Sequence, residues 1–137
     1  MQCLTFSAKS QLRSAQIFNL GAVLATLCMP LFPIFFVWIG VSIFVYSANI
    51  QHPNPKVRRY TQYAGYRFYG VSGCLLASMI FSGVLLSWVG GGFSLLLLLW
   101  LVASSVVVPA GIWAIMKARR EHWQEMQAEV PDTANAA

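Results

Sequence analysis

The sequence predicts an all-α integral membrane protein whose four transmembrane helices form two helical hairpins. Three observations predict it. The basic residues fall into three short blocks, the stretches between the blocks carry no formal charge, and each stretch has a turn signal near its middle. A helix needs about 20 apolar residues to cross the hydrocarbon core of a bilayer. Each charge-free stretch is roughly twice that length, too long for one crossing even when tilted.

The first basic block is Lys9 and Arg13, and the second is Lys56, Arg58, Arg59 and Arg67. The third runs from Lys117 through Arg119 and Arg120 into an acidic tail, and no Asp or Glu precedes Glu121. Residues 14–55 and 68–116 are charge-free. Of 137 residues, 58% are hydrophobic and 9% charged, against about 25% charged in soluble domains. So few charges exclude a single soluble globule of this hydrophobicity.

Residues 1–14 read as a cytoplasmic N-terminal segment, and span one as about 15–30. This span is short and contains Asn19, and a tilted or partly interfacial helix would also suit it. No clean small-x-small cleavage site follows it, so an uncleaved span is expected rather than a signal peptide. Pro30 and Pro33 end it near Met29, because proline removes a backbone donor and forces the preceding residue out of helical conformation. Pro33 then suits the opening of span two, about 33–50. One kinked helix running through both prolines would instead give three spans. It would place Lys9 and Arg13 opposite the second block, against the positive-inside bias.

His52-Pro53-Asn54-Pro55 stops span two and begins a cytoplasmic loop, 51–67. From Lys56 to Tyr69 no proline recurs, so this part is compatible with helix. Span three reads as about 68–89 and span four as about 93–116, separated by Gly90-Gly91-Gly92. Three glycines grant the backbone freedom a tight turn needs. Pro109 is expected to bend span four. The cytoplasmic tail is 117–137, with Lys117 to Val130 continuing the last helix, Pro131 ending it, and Asp132 to Ala137 small, polar and disordered. With four spans, all three basic blocks share the cytoplasmic side and both uncharged turns lie outside.

Two groups of residues are candidates for contact. Lys56, Arg58, Arg59, Tyr60, Tyr63, Tyr66 and Arg67 form a basic, tyrosine-rich run. Its ordinary use is an interfacial belt, with rings at headgroup level and arginines reaching to phosphates. Its functional use is a site for an anionic lipid, a quinone head or a partner protein. The spacing of its tyrosines winds slowly around a helix and predicts no clean stripe. The second group lies in span three. Gly70, Cys74, Ser78 and Ser82 recur every four residues, beside Gly73 and Ala77. Small residues let helices approach closely in lipid, where apolar side chains gain nothing from leaving water. They serve packing within the monomer or against a partner. Ala103, Ala110, Gly111 and Ala114 offer a similar surface in span four.

Other chemistries find little support. No carboxylate lies at membrane depth, which excludes proton-coupled antiport of the kind that needs an embedded acid. Cys3, Cys28 and Cys74 show neither a C-x-x-C pair nor zinc spacing. His52 and His122 lie outside the spans and make a poor haem pair. No nucleophile–base pair, phosphate loop or metal cluster is legible, so no enzyme activity and no cofactor are expected. The basic residues all flank apolar runs, so no nucleic-acid partner is expected either. The expectation is a small multi-pass inner-membrane protein of bacterial type, both termini cytoplasmic. It would be a non-enzymatic accessory or interaction protein, immunity-protein-like or a small complex subunit in kind. Its partners would be membrane lipids and a membrane protein or a second copy of itself. The alternatives are an oligomeric transporter or channel subunit, and a quinone- or haem-associated anchor.

Overall fold

The computed structural model describes residues 2–130. It is mostly helical, at 80%. The elements in order are β1 (Gln2–Phe6), α1 (Ala8–Leu27), α2 (Phe32–Ile50), α3 (Pro55–Ile80), α4 (Ser82–Val89), α5 (Gly92–Arg120) and β2 (Met126–Val130). Both predicted turns form. The chain leaves α1 after Leu27 and re-enters helix at Phe32, with Pro33 in the first turn of α2. Gly90 and Gly91 take positive φ values of 83° and 149° between α4 and α5, a conformation that a side chain would oppose.

Helix α1 is the centre of the bundle and packs against α2, α3 and α5. Phe18 is fully buried there and meets the rings of Trp38, Tyr46, Phe68 and Tyr69 edge-on, with centroids 5.9–6.1 Å apart. Each such pair contributes roughly 0.5–1.5 kcal/mol beyond area burial. Close approach requires glycine at Gly21 and Gly111. A Cβ on Gly21 would run into the Trp38 ring, and one on Gly111 would lie 2.5 Å from Val23 Cγ2. Ala103, Gly111 and Ala114 thus turn the small face of α5 inward, onto α1. Polar groups cross the same seam. Gln16 Nε2 donates to the Ile115 carbonyl at 2.9 Å, and Trp100 Nε1 donates to the Thr26 carbonyl at 3.1 Å.

The apolar side chains are distributed the other way. In α2 only Phe35, Ser42 and Asn49 are buried, and Ile43, Phe44 and Val37 point outward. Among the described residues two helices, α2 and α5, are long and apolar enough to cross a membrane. The bent pair α3–α4 makes a third if counted as one span. Helix α1 does not join them. It carries Lys9 and Arg13 in its first turns and buries Gln11, Asn19 and Thr26, so it is the inner helix rather than the most apolar one.

Three expectations need correction. The predicted span 68–89 is not one helix. The chain bends by 83° between α3 and α4, where Phe81 closes α3 and Ser82-Gly83 follows; such Ser/Gly pairs are common kink sites. Helix α3 begins at Pro55, so the run from Lys56 that the sequence leaves compatible with helix is helical, opened by Asn54 Oδ1 accepting from the Lys56 amide at 2.9 Å. The last helix does not reach Val130. It stops at Arg120, where Glu121 turns extended and Trp123 Nε1 donates back to the Ala118 carbonyl at 2.7 Å. Residues 126–130 instead pair antiparallel with β1, from Gln2 opposite Val130 to Phe6 opposite Met126. The fold is therefore not purely α-helical. The expected disorder of 132–137 lies outside the described residues.

This ribbon identifies one end of the bundle. Gln11 is fully buried beneath it. Its Nε2 donates to the Phe6 carbonyl at 2.9 Å and to the Gln124 carbonyl at 2.8 Å, while its Oε1 accepts from Asn54 Nδ2 at 2.6 Å. One side chain ties together the start of α1, the exits of β1 and α5, and the α2–α3 turn. All three basic blocks gather at this end. At the other end Met29, Phe35, Met79 and Leu95, from the turn after α1 and from α2, α3 and α5, line a small apolar cavity of about 200 Å³.

Candidate functional site

The basic end carries a concavity. A groove of about 610 Å³ lies between α3 and α5. From α3 come Lys56, Arg59, Tyr60, Tyr63, Tyr66 and Arg67; from the other wall come Trp113, Ala114 and Lys117, with Glu121 at the rim. Helical geometry explains the gathering. Residues spaced three and four apart share a face, and Lys56, Arg59/Tyr60, Tyr63 and Tyr66/Arg67 follow that spacing. Trp113 and Lys117 stand four apart on the facing helix α5, and Glu121 follows just past its end.

Six of the seven basic-run residues predicted as contacts therefore meet in one groove. Arg58 does not line it; it is exposed and lies beside His52. Tyr69 also leaves the tyrosine series. It turns into the core, its hydroxyl 3.0 Å from Ser42 Oγ. Three groove residues escaped sequence reasoning: Trp113, Lys117 and Glu121. Their four-residue spacing was readable, but only the tertiary contact of α3 with α5 gives it meaning.

The groove is cationic. Lys56, Arg59, Arg67 and Lys117 face one acidic residue, Glu121. Arg67 is held from behind by Asn19, whose Oδ1 accepts from Arg67 Nη2 at 3.0 Å. Lys117 Nζ stands 4.9 Å from the centroid of the Trp113 ring, and Lys56 Nζ stands 6.0 Å from that of Trp123. Both distances are within cation–π reach. Tyr63 and Tyr66 are largely exposed along the mouth, with Gln62 Nε2 donating to the Tyr66 hydroxyl at 2.8 Å.

Tyr60 lies deeper, in the basic part of α3 that precedes its charge-free stretch. Burial pushes its phenol up to about 12, and the neighbouring Glu121 carboxylate adds to the rise. The two groups are close enough to feel each other's charge, yet the Tyr60 hydroxyl and Glu121 Oε2 both lack a hydrogen bond of good geometry.

The small-residue group takes a different position. Gly70, Gly73, Cys74 and Ala77 are exposed, and Ser78 and Ser82 half-buried. A Cβ added at Gly70 or Gly73 would meet nothing within 4 Å. Helix α3 packs inward through Val57, Thr61, Ala64, Gly65, Phe68 and Ser72 instead. His52 is structural: it is buried, its Nδ1 accepts from the Asn54 amide at 3.0 Å, and its ring meets Phe6 edge-on at 5.0 Å. His122 lies exposed in the connection after α5.

No protein-family model, curated protein or solved structure matches this chain.

Proposed function

We propose that this chain is a small multi-pass protein of a bacterial-type inner membrane that works by contact rather than catalysis. It serves as an accessory subunit or an immunity-protein-like partner. Helices α1, α2 and α5 each cross the bilayer, and the bent pair α3–α4 makes the remaining crossing. Helix α1 continues past its basic first turns as a charge-free segment up to the Pro30–Pro33 turn, and its Gln11, Asn19 and Thr26 are buried in the bundle. The basic end lies in the cytoplasm, as positive-inside retention requires.

One observation carries the contact reading. The side chains suited to recognition are not used in building the core: Gly70, Gly73, Cys74 and Ala77 on α3, and Lys56, Arg59, Tyr63 and Tyr66 on the groove, are exposed. Extraction in a mild detergent followed by affinity purification tests it. A stoichiometric membrane partner, lost in Gly73→Leu while the variant still folds, is the expected result. A homo-oligomer with no other protein would instead favour the transporter or channel reading. A monomer that captures nothing would end the proposal.

A further inference from the structure

We infer that the groove between α3 and α5 binds the phosphate of an anionic phospholipid from the cytoplasmic leaflet. The inference rests on the reading that the basic end faces the cytoplasm, and it names the ligand of that end.

Charge comes first. Four cations and one carboxylate line the groove, so an anion entering it gains from a surplus of positive charge. Arg67 is the key donor. Asn19 fixes its guanidinium through one contact, and a guanidinium has five donors in a fork that matches phosphate oxygens. A pre-positioned arginine binds an anion with less loss of side-chain freedom than a floppy one.

Depth comes second. Arg67 is the last basic residue before the charge-free stretch 68–116, and Lys117 is the first after it. Both line the same groove. The cavity therefore straddles the level at which two helices pass from charged to apolar surface, which is where lipid phosphates lie. Tyr63, Tyr66 and Trp113 form its exposed walls, and tyrosine and tryptophan concentrate at this level of membranes.

Size comes third. About 610 Å³ falls within the usual range for small-molecule sites, roughly 300–1,000 Å³. It exceeds what a lone phosphate fills and leaves room for the glycerol and headgroup, with Ile112 and Met116 exposed nearby on α5 to meet an acyl chain.

Native mass spectrometry of the full chain, released from nanodiscs of phosphatidylcholine doped with phosphatidylglycerol, tests the inference. Retention of phosphatidylglycerol over phosphatidylcholine is expected. Lys56→Gln/Arg59→Gln/Lys117→Gln should lower that preference by about tenfold or more, given the usual contribution of a basic residue near an anionic surface. Lys117 and the two α3 positions are exposed, so this variant keeps its fold where Arg67→Gln could lose it. Glu121→Gln should raise the preference. Lys9→Gln/Arg13→Gln, outside the groove, should leave it unchanged; an equal loss there would mean diffuse attraction and no site. Displacement of the lipid by millimolar inorganic phosphate would make this a soluble-anion site and overturn the assignment. So would a chain with no lipid preference. Partner capture measured on the same variants separates the two readings: intact capture without lipid preference sinks this inference alone.

Discussion

Asn54 Nδ2 donates to Gln11 Oε1 at 2.6 Å, and through this contact the α2–α3 turn is fixed to the first turns of α1. The same Gln11 amide spends both N–H bonds on backbone carbonyls of Phe6 and Gln124. Two donors and one acceptor are used by a side chain with no solvent exposure. Gln11→Leu should cost about 2–4 kcal/mol, since three bonds are lost and buried partners are left unsatisfied. Gln11→Glu should cost more, because it sets a carboxylate against two carbonyl oxygens. Chemical denaturation in detergent measures both; a Glu variant as stable as wild type would refute this account of the junction.

Acid should loosen the same end. Burial, with the charge of Arg58 adding to it, holds the His52 imidazole below its ordinary value. The unfolded or opened chain therefore takes up a proton more readily than the folded one. Stability contributed by neutral His52 is complete above about pH 6.5, the ordinary histidine value. It declines as pH falls from there through the lowered folded value. The protection factors of β1 amides, corrected for the intrinsic exchange rate, should fall as pH drops from about 6.5 to 5, and His52→Gln should abolish that fall. An unchanged profile in that variant would assign the effect elsewhere.

Close helix contact should fail at Gly111. Gly111→Leu puts a side chain where Val23 already stands, and overpacking of this kind typically costs about 1–3 kcal/mol. Gly70→Leu, facing open space, should leave the thermal midpoint of the isolated protein unchanged. Comparison of the two midpoints in detergent checks the inward and outward assignments together.

Asn19 should matter to stability out of proportion to its size. Asn19→Ala removes the acceptor behind Arg67 and leaves a half-buried guanidinium short of a partner, at about 1–3 kcal/mol. Asn19→Asp, which keeps the acceptor and adds opposite charge, should retain the fold. The order of the two variants in a thermal series is the measurement.

Reporter fusions after residues 30, 52 and 91 should read outside, inside and outside. A cytoplasmic Gly91 would contradict the proposed crossing of α3 and α5.

The turns were legible because they depend on local chemistry: Pro33 opens α2 with a φ already suited to helix, and Gly90 accepts a left-handed φ. The basic, tyrosine-rich run was legible as a candidate surface for the same reason, since its residues are neighbours in sequence. Its closure into a groove was not, because half the wall comes from Trp113 and Lys117 on a distant helix. The ribbon was equally hidden: five residues at either end of the described chain carry no marked alternation, and only Gln11 beneath them fixes their pairing. Helix α1 misleads for a deeper reason. It is short and contains Asn19, which makes it the least span-like of the four stretches, yet it is the core. When the surroundings are lipid, the most apolar helices can face outward, as α2 does, and the helix with Asn19 and Gln11 belongs inside. Burial then runs against hydropathy.

The β1–β2 pair also sets an order of events. Strand β1 is made first among the described elements and its partner only after every helix has been synthesised. Until then β1 presents an open hydrogen-bonding edge, and Gln11 lacks the Gln124 carbonyl. The ribbon is thus a closing clasp: it can form only once residues 126–130 have emerged and α5 has brought them back to the starting end. A chain halted after Arg120 would have all its helices and still be unlatched.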